Sequence, residues 1–284
     1  MVSFTDKLLA RYVPWQFLST VGSGVDKLGF NLKPPPLQVT SYSIKSPRWP
    51  QNYDPLKIVV ASDFHVGSTH VNLGTLKKIV ERINAMNPDI ILMPGDFVNS
   101  EYGHDGTHIS PKKIAKQLSR LQARFGAYAT LGNHDIYEGA YRLVSAFKNA
   151  GIQVLHNNSL RIKNKNMSFT LVGVGDSTTE TADCKQAFSQ VAGNLPMVAM
   201  CHNPMSIHDM PKDIVIAVAG HTHGNQFNVP FLPQPILGCP DSGLAYGLQE
   251  RNGKNIVITS GIGTSILPFR NKAPEIVELT IGSP

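Results

Sequence analysis

Two histidines, His221 and His223, stand just after the apolar run 214–218, which predicts a buried strand of a central sheet. In extended chain, side chains at i and i+2 lie on one face about 7 Å apart. The two imidazoles can therefore face one site, and each can serve one of two metal ions about 3.5 to 4 Å apart. Hydrogen-bonded histidines at a strand end would explain the pair as well, so other residues must decide.

More candidate ligands follow the same pattern, because each lies just past an apolar run that predicts a strand. They are Asp63 and His65, Asp96, Asn133 and His134, and His202. Proteins with open α/β sheets bind small molecules and ions in the crevice beyond the carboxyl ends of the strands. We therefore expect the segments that carry these residues to converge there. Imidazole and carboxylate donors together suit manganese, iron, nickel or zinc better than calcium.

The elements that must position these residues alternate between strands and helices. Strands are predicted at 56–61, 89–93, 127–131, 152–155, 169–174, 197–201, 214–218, 256–259 and 276–279. Apolar residues at helical spacing predict helices around 76–83, 114–121, 143–147 and 183–192. The order predicts an α/β fold with mixed sheets, in one domain that spans residues 51–284.

The composition argues against an integral membrane protein, because no apolar run approaches the about 18 residues of a membrane span. Of the net charge of +6, residues 1–50 hold +4, from six basic and two acidic side chains. This charge suits phosphates, nucleic acid or an acidic membrane face without choosing among them. Three widely spaced cysteines and the lack of an apolar secretory leader predict a cytoplasmic location.

Residues 1–50 read as a basic extension that ends in a proline-rich connector at 34–36. Within residues 1–33, Phe4, Leu8, Leu9 and Tyr12 share one helical face. Such a segment can lie on an anionic membrane, here its inner face. These apolar residues could instead pack on the chain's own domain, as the apolar face of a helix usually does.

Five short motifs occur in a fixed order: Asp-x-His at 63–65, Gly-Asp at 95–96, Gly-Asn-His-Asp at 132–135, His202, and Gly-His-x-His at 220–223. Together they resemble the calcineurin-like metallophosphoesterases, and the similarity extends to Gly261-Ile262-Gly263 and Pro268-Phe269-Arg270 of a bacterial branch. The resemblance implies a four-layer α-β-β-α sandwich with two mixed sheets. It also implies two metal sites that share Asp96: Asp63, His65, Asp96 and His223 for one ion, and Asp96, Asn133, His202 and His221 for the other.

Two cations bridged by a carboxylate share a water whose pKa falls toward neutrality, so a hydroxide can attack phosphorus without a protein nucleophile. His134 would stabilise charge on the phosphate or protonate the leaving oxygen. Asp135 would hold the His134 ring in orientation. We expect two divalent ions, with manganese preferred over iron, zinc or nickel.

The resemblance implies phosphodiester substrates or a lipid-linked nucleotide diphosphate, as for UDP-2,3-diacylglucosamine pyrophosphatases. The basic aromatic front segment and the apolar loop near 231–233 favour an amphiphilic substrate. A nuclease is less favoured because basic and aromatic residues do not interleave into a stacking platform. A non-catalytic scaffold is less favoured because every ligand position is retained. Two departures from the branch, Pro94 and Asn225, are expected not to contact a ligand.

Overall fold

Two six-stranded sheets form the centre of the chain in the computed structural model, which describes residues 35–68, 70–99, 108–191, 193–224, 242–264, 270 and 272–284. The first sheet consists, in spatial order, of β1 (Gln38–Lys45), β12 (Glu275–Gly282), β2 (Leu56–Val60), β3 (Ile90–Pro94), β4 (Ala127–Thr130) and β5 (Gln153–Val154). The second consists of β10 (Gly247–Arg251), β11 (Lys254–Ile258), β9 (Ile216–Ala219), β8 (Met197–Met200), β7 (Ser168–Gly173) and β6 (Asn158–Lys163).

Both sheets are mixed, as the sequence predicts. In the first sheet β2, β3, β4 and β5 are parallel, whereas β12 is antiparallel to β2. In the second sheet β7, β8, β9 and β11 are parallel, whereas β6 and β10 are antiparallel to their neighbours. Parallel strands place their carboxyl ends at one edge of a sheet. The candidate ligands come directly after these strands in the sequence, so they lie at that edge.

Helices cover the outer faces of the sheets. The first sheet packs against α1 (Leu73–Ala85), α2 (Pro111–Leu118) and α3 (Asn133–Asn149), and the second against α4 (Cys184–Ser189) and the 3-10 helix Pro204–Asp209. Alternation along β2 shows how the layers form: Ile58 and Val60 pack between the sheets, whereas Val59 packs against the helices. The predicted four-layer α-β-β-α arrangement is confirmed.

Three strands were not predicted: β1, β6 and β10. Their residues are mostly exposed or half-buried, so they lack the continuous apolar run that marks the central strands. Strand β1 pairs with β12, so the first sheet includes residues that precede the predicted domain start at residue 51. The predicted helix within residues 1–33 lies outside the described residues. Among the described helices, none is both long and apolar enough to span a membrane.

The two sheets meet at the carbonyl of Pro94, at the end of β3. The Ser62 hydroxyl, after β2, donates to this oxygen at 2.9 Å. His202, after β8 of the second sheet, contacts the same oxygen through Nδ1 at 2.8 Å. The turns that follow the strands of both sheets therefore surround one common site.

Candidate metal centre

Two pairs of histidine rings face one carboxylate at this junction. His65 Nε2 lies 3.2 Å from His223 Nε2, and His202 Nε2 lies 3.1 Å from His221 Nδ1. Asp96 Oδ2 is 3.5 Å from His65 Nε2 and 3.2 Å from His202 Nε2. A single carboxylate oxygen therefore lies between the two pairs.

The remaining predicted ligands complete these two groups. Asp63 Oδ1 lies 3.6 Å from His223 Nε2, and potential ligand atoms of Asp63, His65 and His223 all fall within 4.8 Å of one another. The same limit holds for Asp96, His202 and His221. Asn133 is buried, and its Oδ1 has no hydrogen-bond partner in the described part of the chain. The structure thus brings together six of the seven predicted ligands, and Asn133 lies between Gly132 and His134, which both approach Asp96.

The chemistry of these atoms fits divalent transition metals. Burial lowers the pKa of His65 to about 3 and the pKa of His223 well below its usual value, so both rings are neutral, the form that binds a metal. Burial also raises the pKa of Asp63 to about 6. Facing imidazole nitrogens and buried carboxylates form the mixed donor set expected for such ions.

Contacts on the far side of two rings orient them toward Asp96. His202 Nδ1 donates to the Pro94 carbonyl, so a neutral His202 ring would offer Nε2, the atom that faces Asp96, to a metal. His221 Nε2 lies 3.5 Å from Thr178 Oγ1, which accepts a hydrogen bond from Asn203 Nδ2 at 2.9 Å. Partners of this kind fix the tautomer of metal-binding histidines.

The expectation that Pro94 does not contact a ligand was wrong, because its carbonyl contacts the predicted ligand His202. Asn225 lies outside the described residues.

The backbone is unusual at five of the candidate ligands. Positive φ angles occur at Asp63 (53°), His65 (42°), Asp96 (57°), His221 (70°) and His223 (48°). Each such residue costs about 1 to 3 kcal/mol and is found mainly where function requires it. The reason predicted for the convergence of His221 and His223 was therefore wrong: a tight turn, not extended chain, brings the two rings to the site.

Two glycines allow the backbone to approach the carboxylates. A Cβ atom at Gly132 would overlap Asp96 Oδ1. A Cβ atom at Gly220 would overlap Asp63 Oδ2 and the Ser62 hydroxyl. Gly220 thus makes room for a ligand side chain.

Asp135 holds the turn that carries Asp96. Its carboxylate, which is 1% exposed, accepts four backbone N–H bonds, from Asp96 (2.8 Å), Phe97 (2.8 Å), Val98 (3.2 Å) and Gly132 (3.0 Å). These four bonds make Asp135 a positioning residue for Asp96. That Asp135 also orients the His134 ring stays a prediction.

His134 lies beside the buried ligands and is itself partly exposed. Its ring meets the His65 ring edge-on, with centroids 4.7 Å apart. Its backbone N–H, in the first turn of α3, donates to Asp96 Oδ1 at 3.0 Å. The helix thereby engages one oxygen of Asp96, while the other oxygen faces the histidine pairs.

Sequence reasoning missed two residues near the centre, Asp176 and Thr178, and it named Arg270 only as part of the motif at 268–270. Asp176 follows β7 just as Asp63 follows β2, so the strand-end pattern contained a signal for it. It is buried, burial raises its pKa, and its Oδ2 accepts a bond from the Thr179 N–H at 2.9 Å. Nothing in the local sequence indicated a role for Thr178 or for the contacts of Arg270.

The fold and the centre agree with a comparison of the chain to protein families. Residues 56–225 match the model of the calcineurin-like phosphoesterases, and the chain belongs to this family. It is accordingly a metallophosphoesterase, a hydrolase of phosphoester bonds in a family that uses divalent metals.

Similar proteins are known from several bacteria. Phosphodiesterase YaeI of Escherichia coli is 31% identical over 236 residues, which cover 81% of this chain and 83% of that protein. The uncharacterised metallophosphoesterase YkuE of Bacillus subtilis is 28% identical over 274 residues, 93% of this chain and 92% of that protein. UDP-2,3-diacylglucosamine pyrophosphatase LpxG of Chlamydia trachomatis is 27% identical over 292 residues, 82% of this chain and 85% of that protein.

Proposed function

We propose that the chain binds two divalent transition metal ions and hydrolyses a phosphodiester or diphosphate bond. The observation that carries this proposal is the position of Asp96 Oδ2, 3.5 Å from His65 Nε2 and 3.2 Å from His202 Nε2. Asp63, His65 and His223 would hold one ion with Asp96, and Asn133, His202 and His221 the other. Manganese is the first ion to test, before iron, zinc or nickel.

When bound, the two ions would supply an acidified water as the nucleophile and neutralise charge on the phosphoryl oxygens. The residues of the chain would do the rest. Asp96 would keep both sets of ligands together, and Asp135 would hold the turn of Asp96 through four backbone amides. His134, which is partly exposed, would stabilise charge on the phosphate or protonate the leaving oxygen.

The substrate that we propose is a lipid-linked nucleotide diphosphate at a membrane surface. Two features support it: the activity for which the Chlamydia relative is named, and the basic amphipathic pattern within residues 1–33. The name of the E. coli relative favours a second candidate, a soluble phosphodiester. Both candidates need the same centre and differ in what surrounds the scissile phosphate.

A substrate panel separates these candidates. Metal-loaded enzyme would be assayed with a phosphomonoester, a soluble diester, a nucleotide pyrophosphate and UDP-2,3-diacylglucosamine, each with a chelated control. We expect the highest kcat/KM with the lipid-linked nucleotide. Hydrolysis of the soluble diester alone would support the second candidate, and metal-independent or absent turnover of all four compounds would contradict the proposed function.

A further inference from the structure

Arg270 directs every hydrogen-bond donor of its side chain at backbone carbonyls. The acceptors are the carbonyl oxygens of Lys272, Ile262, Gly263, Ser260 and Gly261. A guanidinium group has five N–H donors, so these five bonds engage all of them. Four of the five acceptors belong to one short loop, residues 260–263, which we call the backing loop.

The backing loop supports the turn that carries Asp63. The Ile262 N–H donates to the Ser62 carbonyl at 3.0 Å, and the Gly263 N–H donates to the Asp63 carbonyl at 2.6 Å. Gly261 lies directly against the Asp63 side chain, because a Cβ atom there would come within 2.6 Å of Asp63 Cβ. The turn needs such support because Asp63 has a φ of 53°.

A second anchor holds the other side of the backing loop. Glu275, which is 2% exposed, accepts a hydrogen bond from the Ser260 N–H at 2.8 Å. Arg270 donates a hydrogen bond to the Ser260 carbonyl. The two charged side chains therefore hold Ser260 through its N–H and through its C=O. Burial lowers the pKa of Arg270 to about 10, and the group is still a cation at neutral pH.

A second interpretation of Arg270 is that it binds the phosphate of the substrate at the candidate metal centre. The hydrogen bonds argue against it. A phosphate is recognised by free N–H donors of the guanidinium fork, and here each donor already serves a carbonyl oxygen. Arg270 would have to give up backbone bonds to reach a substrate.

We propose that Arg270 is a positioning residue that clamps the backing loop and thereby holds Asp63 in place as a ligand. The inference rests on the proposed function, because it concerns the ion assigned to Asp63, His65 and His223. It assigns the motif that contains Arg270 a task in ordering the metal centre rather than in binding the substrate.

Two substitutions separate the clamp from the charge. Arg270→Ala removes both, whereas Arg270→Lys keeps a cation but has three donors that cannot span the loop. Arg142→Ala, at an exposed position of α3, is the matched control. Metal-free protein would be titrated with Mn²⁺ by calorimetry. We expect both Arg270 variants to lose about 10- to 100-fold in affinity for one ion, with the other ion and the control unchanged.

Hydrogen exchange of the metal-free proteins provides a readout that does not depend on metal. The amides of Ile262 and Gly263 should exchange faster in both Arg270 variants. Added guanidinium at a non-denaturing concentration should restore the slow exchange of these amides in Arg270→Ala but not in Arg270→Lys. Wild-type affinity and exchange in Arg270→Lys would overturn the clamp. Wild-type protein without two binding steps would refute the proposed function, while the exchange comparison would still test the clamp.

Discussion

Neighbouring histidines at the centre differ in what they can do. His65 is completely buried and faces Asp96 Oδ2, whereas His134 is partly exposed, and its backbone N–H donates to Asp96 Oδ1. A buried neutral imidazole is suited to bind a metal. A partly exposed one beside it can reach a substrate, and substitution should distinguish the two roles.

His134→Ala should keep its metal and lose turnover. Because the side chain is proposed to act on the substrate, kcat should fall by about 10² to 10⁴, the usual range for a lost acid or charge stabiliser. The rate assay is read beside the metal content of the same preparation. Loss of both ions along with the side chain would mean that His134 is a ligand.

Thr178→Ala tests whether the contact at 3.5 Å orients His221. Without the hydroxyl, one ion should bind about 10- to 100-fold more weakly, as for other partners of metal-bound histidine. Thr178→Ser should retain wild-type affinity. So should Thr179→Ala, because the Thr179 hydroxyl bonds instead to Asp176 and Thr181. Unchanged affinity in Thr178→Ala would exclude this role.

The elements of the fold could be predicted to a large extent from the sequence, because the central strands are buried on both faces and read as apolar runs. The candidate ligands could be predicted for the same reason, since they follow these runs. The roles of Asp135 and Arg270 could not. Asp135 bonds to backbone amides of a distant turn, and Arg270 bonds to carbonyls of a nearby loop. Any residue type can supply a backbone amide or carbonyl, so such contacts cannot be predicted from residue type.

At the scale of elements, close approach of the turns after β2 and β9 depends on Gly220. Gly220→Ala should lower the free energy of unfolding by about 1 to 3 kcal/mol, as expected for overpacking, and should weaken metal binding by displacing Asp63. Gly282→Ala is the matched control, because a Cβ atom there meets nothing within 4 Å; its effect should stay within about 0.5 kcal/mol. Urea denaturation measures both, and equal stability of the two variants would contradict the close approach.

At the scale of the whole molecule, the turns that follow the strands of both sheets form one site. Residues 1–33 concern whether the enzyme with this site is attached to a membrane. Their basic and apolar residues predict reversible, salt-sensitive attachment to an anionic membrane. Deletion of residues 1–33 should abolish sedimentation with anionic vesicles and slow turnover of a vesicle-embedded substrate, but leave hydrolysis of a soluble diester nearly unchanged. Impaired soluble-substrate activity together with a lower Tm would show that the segment packs on its own domain.

The most direct test of a shared carboxylate between two ions is the metal-to-protein ratio of wild type and Asp96→Asn, determined by elemental analysis after loading and desalting. We predict two ions per chain in the wild type. In Asp96→Asn we predict fewer than two and no turnover, because the lost negative charge no longer offsets repulsion between the cations. An Asp96→Asn protein that holds two ions and turns over at a near-normal rate would contradict the bridge.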